Sequence, residues 1–188
     1  MSPGEDIIRK IQSGDQLAFK VLVEEYQQYA YSLAFRILCQ EDEAKDAVQE
    51  GFIKIWQKIK SFNGKSKFST WMYKIITNTA IDRLRAIKRN NLVSIDAVPE
   101  VYEKILSQES GVQMENEEMG QLIRAISEGL PEKQHLVFIM RDLQGMDSTE
   151  VQEILGLTEA AVKSNLYHAR QAVKEKLTRL IQYERREA

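Results

Sequence analysis

Between Asp147 and Thr158 the chain carries a capping box, a short run with an apolar face, a glycine, a lone leucine and a second cap, in that order. Few folds accommodate it. In Asp147-Ser148-Thr149-Glu150, the Asp147 side chain can accept from the Glu150 amide while Glu150 reaches back to the cap. Val151, Ile154 and Leu155 then give one buried face. Gly156 supplies a residue that tolerates positive φ. Leu157 plugs the turn, and Thr158 caps the next helix. In that helix Val162, Leu166, Ala169, Val173 and Leu177 recur at helical spacing as an inward stripe. Lys163, Tyr167, Arg170 and Lys174 share another face, with Ser164, Asn165 and His168 beside it. A short helix, a tight turn and a second helix with exposed basic and hydrogen-bonding side chains meet the demands of major-groove reading. An ordinary helical hairpin with a solvated face accounts less well for four signals in the right order. At the helix crossing, where a small residue is usual, stands Gln152.

Helical periodicity runs through nearly all of the remaining chain. It predicts helices over 4–12, 15–39, 42–59, 68–88, 114–128, 132–143, 148–155 and 159–183. The prolines at 3, 99 and 131 fall outside these stretches and most glycines sit at their ends. No segment alternates with period two between turn residues, so the expected fold is all-α. The stretch 90–111 loses periodicity, contains Pro99 and is acidic, as befits a connector. Two small helical domains are therefore expected, 1–89 and 114–188, joined by a flexible acidic linker over 90–113.

Several function classes drop out. One cysteine, Cys39, and two distant histidines, His135 and His168, give no zinc spacing. No phosphate-cradling glycine loop, nucleophile elbow or carboxylate pair with a base is present, so neither an enzyme nor a cofactor is expected. There is no apolar run long enough for a membrane span, and MSPGEDIIRK is not a secretory signal. With one cysteine, a reducing cytoplasm is the expected compartment.

The formal charge of −2 conceals segregation. Residues 51–90 carry ten Lys and Arg against Asp82, whereas 40–50 carry five acids against Lys45. Residues 91–119 carry seven acids against Lys104, and 160–188 seven basic residues against three acids. Blocks of this kind mark interaction faces and an acidic connector rather than an evenly solvated surface. Within 42–59, Val48, Phe52, Ile55 and Ile59 form an inward stripe, while Asp46, Gln49, Glu50, Ile53 and Gln57 share a different face. A mixed acidic and apolar face suits a protein partner with basic side chains. Gly51 lowers local helix propensity, which close approach of a neighbouring helix would explain.

Downstream, Phe62, Asn63, Lys65, Lys67, Phe68, Ser69 and Trp71 are followed by Tyr73, Lys74, Asn78, Asp82, Arg83 and Arg85. Aromatics interleaved with cations can stack unpaired bases and track a phosphate backbone, at about 1–3 kcal/mol per stack. Phe62, Phe68 and Trp71 serve equally well as core, and the two roles can coexist.

Here a resemblance becomes specific. Ala18-Phe19, Leu22 and Tyr26, then Asp42 through Glu50 with Phe52 and Trp56, then Phe68, Trp71 through Ile75, Asn78, Asp82 and Arg85 resemble the second conserved region of bacterial sigma factors. Leu130-Pro131, Phe138, Gly145-Met146-Asp147 and Val162 through Arg170 resemble the fourth. With no domain between them, the chain is similar to the extracytoplasmic-function (ECF) group. The resemblance spans roughly 15–180.

It implies that Asp46, Gln49, Glu50, Ile53 and Trp56 bind the β′ clamp helices of core RNA polymerase, with the β flap a further contact. It implies that Phe62, Asn63, Lys65, Lys67, Phe68, Ser69, Trp71, Lys74, Asn78, Arg83 and Arg85 melt and read the −10 promoter element. A flipped base would be received near 63–69. Thr158, Lys163, Ser164, Asn165, Tyr167, His168 and Arg170 would read the −35 element, and the linker would thread the polymerase channel. An anti-sigma factor is the implied regulator. Relatives often place Arg where Lys163, Asn165 and His168 stand, so the −35 sequence does not carry over. One alternative is a stand-alone helix-turn-helix regulator whose N-terminal bundle binds an effector or a partner, which would bind duplex without polymerase. The other is a helical interaction protein with no DNA role, whose DNA affinity would ignore changes at Lys163 and Arg170.

Overall fold

The structure, a computed structural model, describes residues 5–90, 123, 126–127 and 129–187, with the backbone alone at 5, 90 and 180–187. Among these residues every regular element is helical. The all-α expectation holds. The expected helix over 114–128 and the connector over 90–113 lie almost wholly outside the described residues.

α1 (Glu5–Gln12) leads into α2 (Gln16–Leu38). Asp15 starts α2 because its carboxylate accepts from the amides of Leu17 (2.9 Å) and Ala18 (3.0 Å). Cys39 ends α2 in the left-handed conformation, φ 52°, its amide donating to the Phe35 carbonyl. α3 (Glu41–Lys58) opens on Glu41, Asp42 and Glu43, which complement the helix dipole. A 3-10 turn (Ile59–Ser61) then precedes α4 (Phe68–Asn90). α2, α3 and α4 pack against one another around Leu22, Leu33, Ile37, Ile55, Met72 and Ile76, while α1 lies against α2 and the 3-10 turn. Gly51 is where α3 meets α4: a Cβ there would run into Ile76 Cδ1, with the Ile76 Cα 3.6 Å away. This explains a glycine inside a helix.

The C-terminal unit begins with α5 (Glu132–Phe138), which widens into a π turn (Ile139–Leu143) instead of continuing as α-helix to 143. Gly145 at φ +68° reverses the chain, and the Arg141 guanidinium donates to the Met146 carbonyl. α6 (Ser148–Leu155) and α7 (Glu159–Glu187) follow. Val162, Ala169 and Val173 of the expected α7 stripe are buried and Leu166 is half-buried. Leu177, by contrast, is 39% exposed, because the helix has run past α5 and the packing residues Ile126, Leu130 and Phe138.

The two units do not stand apart. α6 packs on α4 and the π turn on α2, so Val151, Ile154, Met140 and Met146 join one continuous core with the N-terminal helices. Full burial of a side chain such as Ile154 contributes about 1.5–3 kcal/mol. The seam is polar at its edges. Gln144 Nε2 donates to Ser32 Oγ (3.0 Å), and Lys67 stands 3.8 Å from Glu150. No described helix is long and apolar enough to cross a membrane.

Candidate nucleic-acid and partner interfaces

Helical pitch splits the outer side of α3 into two flanks. Gln49, Ile53 and Trp56 border a groove of about 1020 Å³ between α2 and α3. Its floor is apolar: Phe19, Val23, Val48 and Phe52, with Trp56 4.9 Å from the Phe19 ring. Ile53, half exposed, stands on the rim. An open apolar channel edged by glutamines and Lys45 suits an amphipathic partner helix.

Asp46 and Glu50 occupy the other flank, toward α4. There the Arg83 guanidinium donates to Glu43 Oε2 (2.8 Å) and Asp46 Oδ2 (2.8 Å), with Glu50 Oε2 at 3.4 Å. Lys54 binds the remaining oxygen of Glu50 at 2.7 Å and donates to Thr79 Oγ1 on α4 (3.2 Å). Lys54 foremost, with Arg83 behind it, holds the Glu50 carboxyl below its usual range. Five of the expected partner residues are thus brought to one helix, but only three face the groove.

Preceding α4, residues 62–67 form a loop whose base is pinned by Gln12, which donates to the Ile59 (3.1 Å) and Phe62 (3.0 Å) carbonyls. Asn63 Oδ1 accepts from the Lys65 amide, and Gly64 turns the chain at φ +73°. Phe62, Phe68 and Trp71 form a triad with ring centroids 5.2–5.6 Å apart. Phe68 is core, 2% exposed, whereas Phe62 and Trp71 are half-buried. Lys65, Lys67, Lys74 and Asn78 are exposed and Ser69 is half-buried. Arg85 forms a two-pronged bond with Glu132 of α5 at 2.7 and 3.0 Å. Most of the expected −10 residues therefore share one side of the bundle. Arg83 does not; it faces α3.

The C-terminal turn has the geometry its sequence specifies. Asp147 Oδ1 accepts from the Glu150 amide (2.8 Å), and the Asp147 amide donates to Glu150 Oε2 (3.2 Å). Gly156 is left-handed at φ 65°, and Thr158 Oγ1 accepts from the Ala161 amide. Gln152 folds back to donate to the Ser148 carbonyl (3.1 Å), a small footprint at the crossing. On α7, Lys163, Ser164, Tyr167 and His168 are exposed together, and Tyr167 and His168 are edge to face at 5.5 Å. Lys163 pairs with Glu159 (2.6 Å) one turn back. Asn165 is half-buried, its amide donating to the Ala161 carbonyl (2.7 Å). Arg170 is clamped to both oxygens of Asp142, at 2.6 and 2.8 Å.

Sigma-70 region 2 matches residues 22–90 and Sigma-70 region 4 matches 120–173. Over 182 residues the chain is 35% identical to the ECF RNA polymerase sigma-E factor of Escherichia coli (strain K12), covering 93% of this chain and 94% of that protein. The chain belongs to the ECF sigma factors. It is also 32% identical to the ECF RNA polymerase sigma factor SigW of Bacillus subtilis (strain 168), over 90% of this chain and 94% of that one. Among solved structures, CnrH in complex with the cytosolic domain of CnrY shares the fold of this sigma factor at TM-score 0.69 and 20% identity, covering 92% of this chain and 95% of that one. The sigma factor RpoE in complex with the anti-sigma factor NepR from Bartonella quintana does so at TM-score 0.62 and 21% identity, covering 85% and 96%.

Sequence reading of this sigma factor missed Glu43, Glu132 and Asp142, the partners of Arg83, Arg85 and Arg170. Glu43 was recoverable, because 43, 46 and 50 share a helix face at i, i+3, i+7. Glu132 and Asp142 meet their arginines only through tertiary packing, which no local spacing announces. His135 was also missed as a seam residue: burial pushes it down to about 4, with Lys88 adding to the effect.

Proposed function

We propose that the chain is a promoter-specificity subunit that docks on core RNA polymerase through the α2–α3 groove and the acidic flank of α3. In this reading the loop at 62–67 and the outer side of α4 capture and open the −10 element. Exposed Lys163, Ser164, Tyr167 and His168, with Thr158 at the head of α7, read the −35 element, while the C-terminal unit rests on the β flap. It works in the cytoplasm as a binding subunit, with no catalysis of its own. An anti-sigma factor restrains it by covering the same groove.

The observation that carries this reading is the apolar groove bordered by Gln49, Ile53 and Trp56 on the same bundle as the basic, aromatic loop. A regulator that works without polymerase would need an effector or another partner to fill it. Two elements named for positions roughly 25 base pairs apart are about 85 Å apart on B-DNA. The seam between α4 and α6 holds the two readers far closer, so it opens on polymerase. Fully extended, a linker over 90–113 reaches about 80–85 Å, close to that separation.

Run-off transcription with core enzyme over a promoter library tests the proposal. A cognate promoter should emerge, with core bound tightly. A chain that binds no core polymerase contradicts it, and tight duplex binding without polymerase would favour a stand-alone regulator.

A further inference from the structure

α4 carries two sets of cations that its own pitch keeps apart. At 3.6 residues per turn, Trp71, Lys74, Asn78 and Arg85 fall within a sector of about 60°, and Arg83 lies about 150° from its centre. DNA lying along that sector does not reach Arg83. All three guanidinium nitrogens instead engage α3, one oxygen from each of Glu43, Asp46 and Glu50. These three carboxylates stand at i, i+3 and i+7, where like charges repel unless a cation is held between them. Arg83 is that cation. The three contacts raise the guanidinium pKa in spite of partial burial, so its charge is fixed. Lys54, bridging Glu50 to Thr79, ties the far end of the row to the same helix.

We propose that Arg83 is a positioning residue for polymerase binding rather than a promoter contact, gathering Glu43, Asp46 and Glu50 into one preformed acidic ridge beside the α2–α3 groove. The proposal rests on the reading that α3 faces polymerase, and it adds Glu43 to that surface. Glu43 and Asp46 each give Arg83 one oxygen and leave the other for a partner's cation, while the second oxygen of Glu50 is held by Lys54. A planar fork can hold three acceptors at set angles; a lysine ammonium supplies the charge without that geometry. Preforming the ridge removes the ordering cost that three loose acidic side chains would add to binding.

The test uses the full chain, core polymerase at two salt concentrations and a fluorescent single-stranded −10 oligonucleotide bound to saturated holoenzyme. Arg83→Ala should weaken core binding about tenfold and Arg83→Lys by less, with oligonucleotide affinity and its salt slope unchanged. Glu43→Gln should weaken core binding too, and its effect should shrink in the Arg83→Ala background. Additive losses from the two changes would overturn the proposal. So would normal core binding by Arg83→Ala combined with a salt slope lowered by about 0.7, the mark of one lost single-strand phosphate contact. Charge reversal at Asp46 separates the two levels. If Asp46→Lys leaves core binding intact, the polymerase reading of α3 itself fails. If it abolishes binding while Arg83→Ala does not, only the role of Arg83 fails.

Discussion

Arg85 on α4 and Glu132 on α5 face each other across the seam, two parallel N–H···O bonds of 2.7 and 3.0 Å joining the two units. The pair occupies a side chain assigned to the −10 element. Lys67 makes a longer, more exposed approach to Glu150, at 3.8 Å. On the function proposed above, the C-terminal unit of the free chain engages part of the −10 surface. Glu132→Gln should raise the affinity of the free chain for a −10 single strand and increase the distance reported by a dye pair spanning the units. Arg85→Ala should lower that affinity. Unchanged dye distance in Glu132→Gln would mean that the pair does not help to hold the seam.

His135 makes the seam sensitive to acid. Half-buried against the backbone of Ile37 and facing Lys88 and Glu132, it is pushed down to about 4, whereas an exposed histidine titrates near 6.5. The folded value is the lower one, so the unfolded or opened chain takes up the proton first. Stability is complete above about pH 6.5 and falls as pH drops toward 4, by about 3 kcal/mol in all. Urea midpoints should decline between pH 7 and 5.5, before most carboxylates titrate. His135→Gln should flatten that slope; a slope that survives the substitution assigns the effect elsewhere.

The helical pattern made the fold legible because each element carries its own local signals: Asp15 and Asp147 as caps, Gly156 as a turn, and apolar residues at i, i+3 and i+4. On α3 the same signals separated inward from outward residues, but not the two flanks that carry Gln49 and Asp46. What the sequence did not carry was pairing between elements. Arg83 and Arg85 look alike two residues apart in a basic stretch, yet about 200° of helical rotation sends one to Glu43 and the other to Glu132. Phe68 and Trp71 likewise read as equivalent aromatics, and only packing separates a core ring from a half-buried one.

Gly51 offers a test of the α3–α4 contact on which that geometry depends. Alanine gains about 1 kcal/mol of helix propensity over glycine. Here its Cβ meets Ile76 Cδ1, and the Ile76 side chain is fully buried. Overpacking of this kind costs about 1–3 kcal/mol, so Gly51→Ala should destabilise the chain slightly. Ile76→Val removes the obstructing carbon. In that background Gly51→Ala should become stabilising, and denaturant midpoints for the four chains give the coupling directly. Equal effects in both backgrounds would show that Ile76 is not the obstacle.

Lys163 and Arg170 are both basic residues of α7, but their surroundings differ. Lys163 stands on the exposed face with Ser164 and Tyr167, tethered to Glu159 one turn away. Lys163→Ala should cost about 1–3 kcal/mol in promoter binding, unequally among −35 sequences. Arg170, which the family resemblance counts among the −35 readers, is bound at both ends of its fork by Asp142 of the π turn. Its exposed position limits the pair to roughly 0.2–1 kcal/mol, and the pair ties α7 to the π turn that follows α5. Arg170→Ala and Asp142→Asn should therefore destabilise the C-terminal unit non-additively. The salt slope of DNA binding should stay the same in Arg170→Ala. A slope lower by about one would instead mean that Arg170 leaves Asp142 for the DNA backbone when promoter binds.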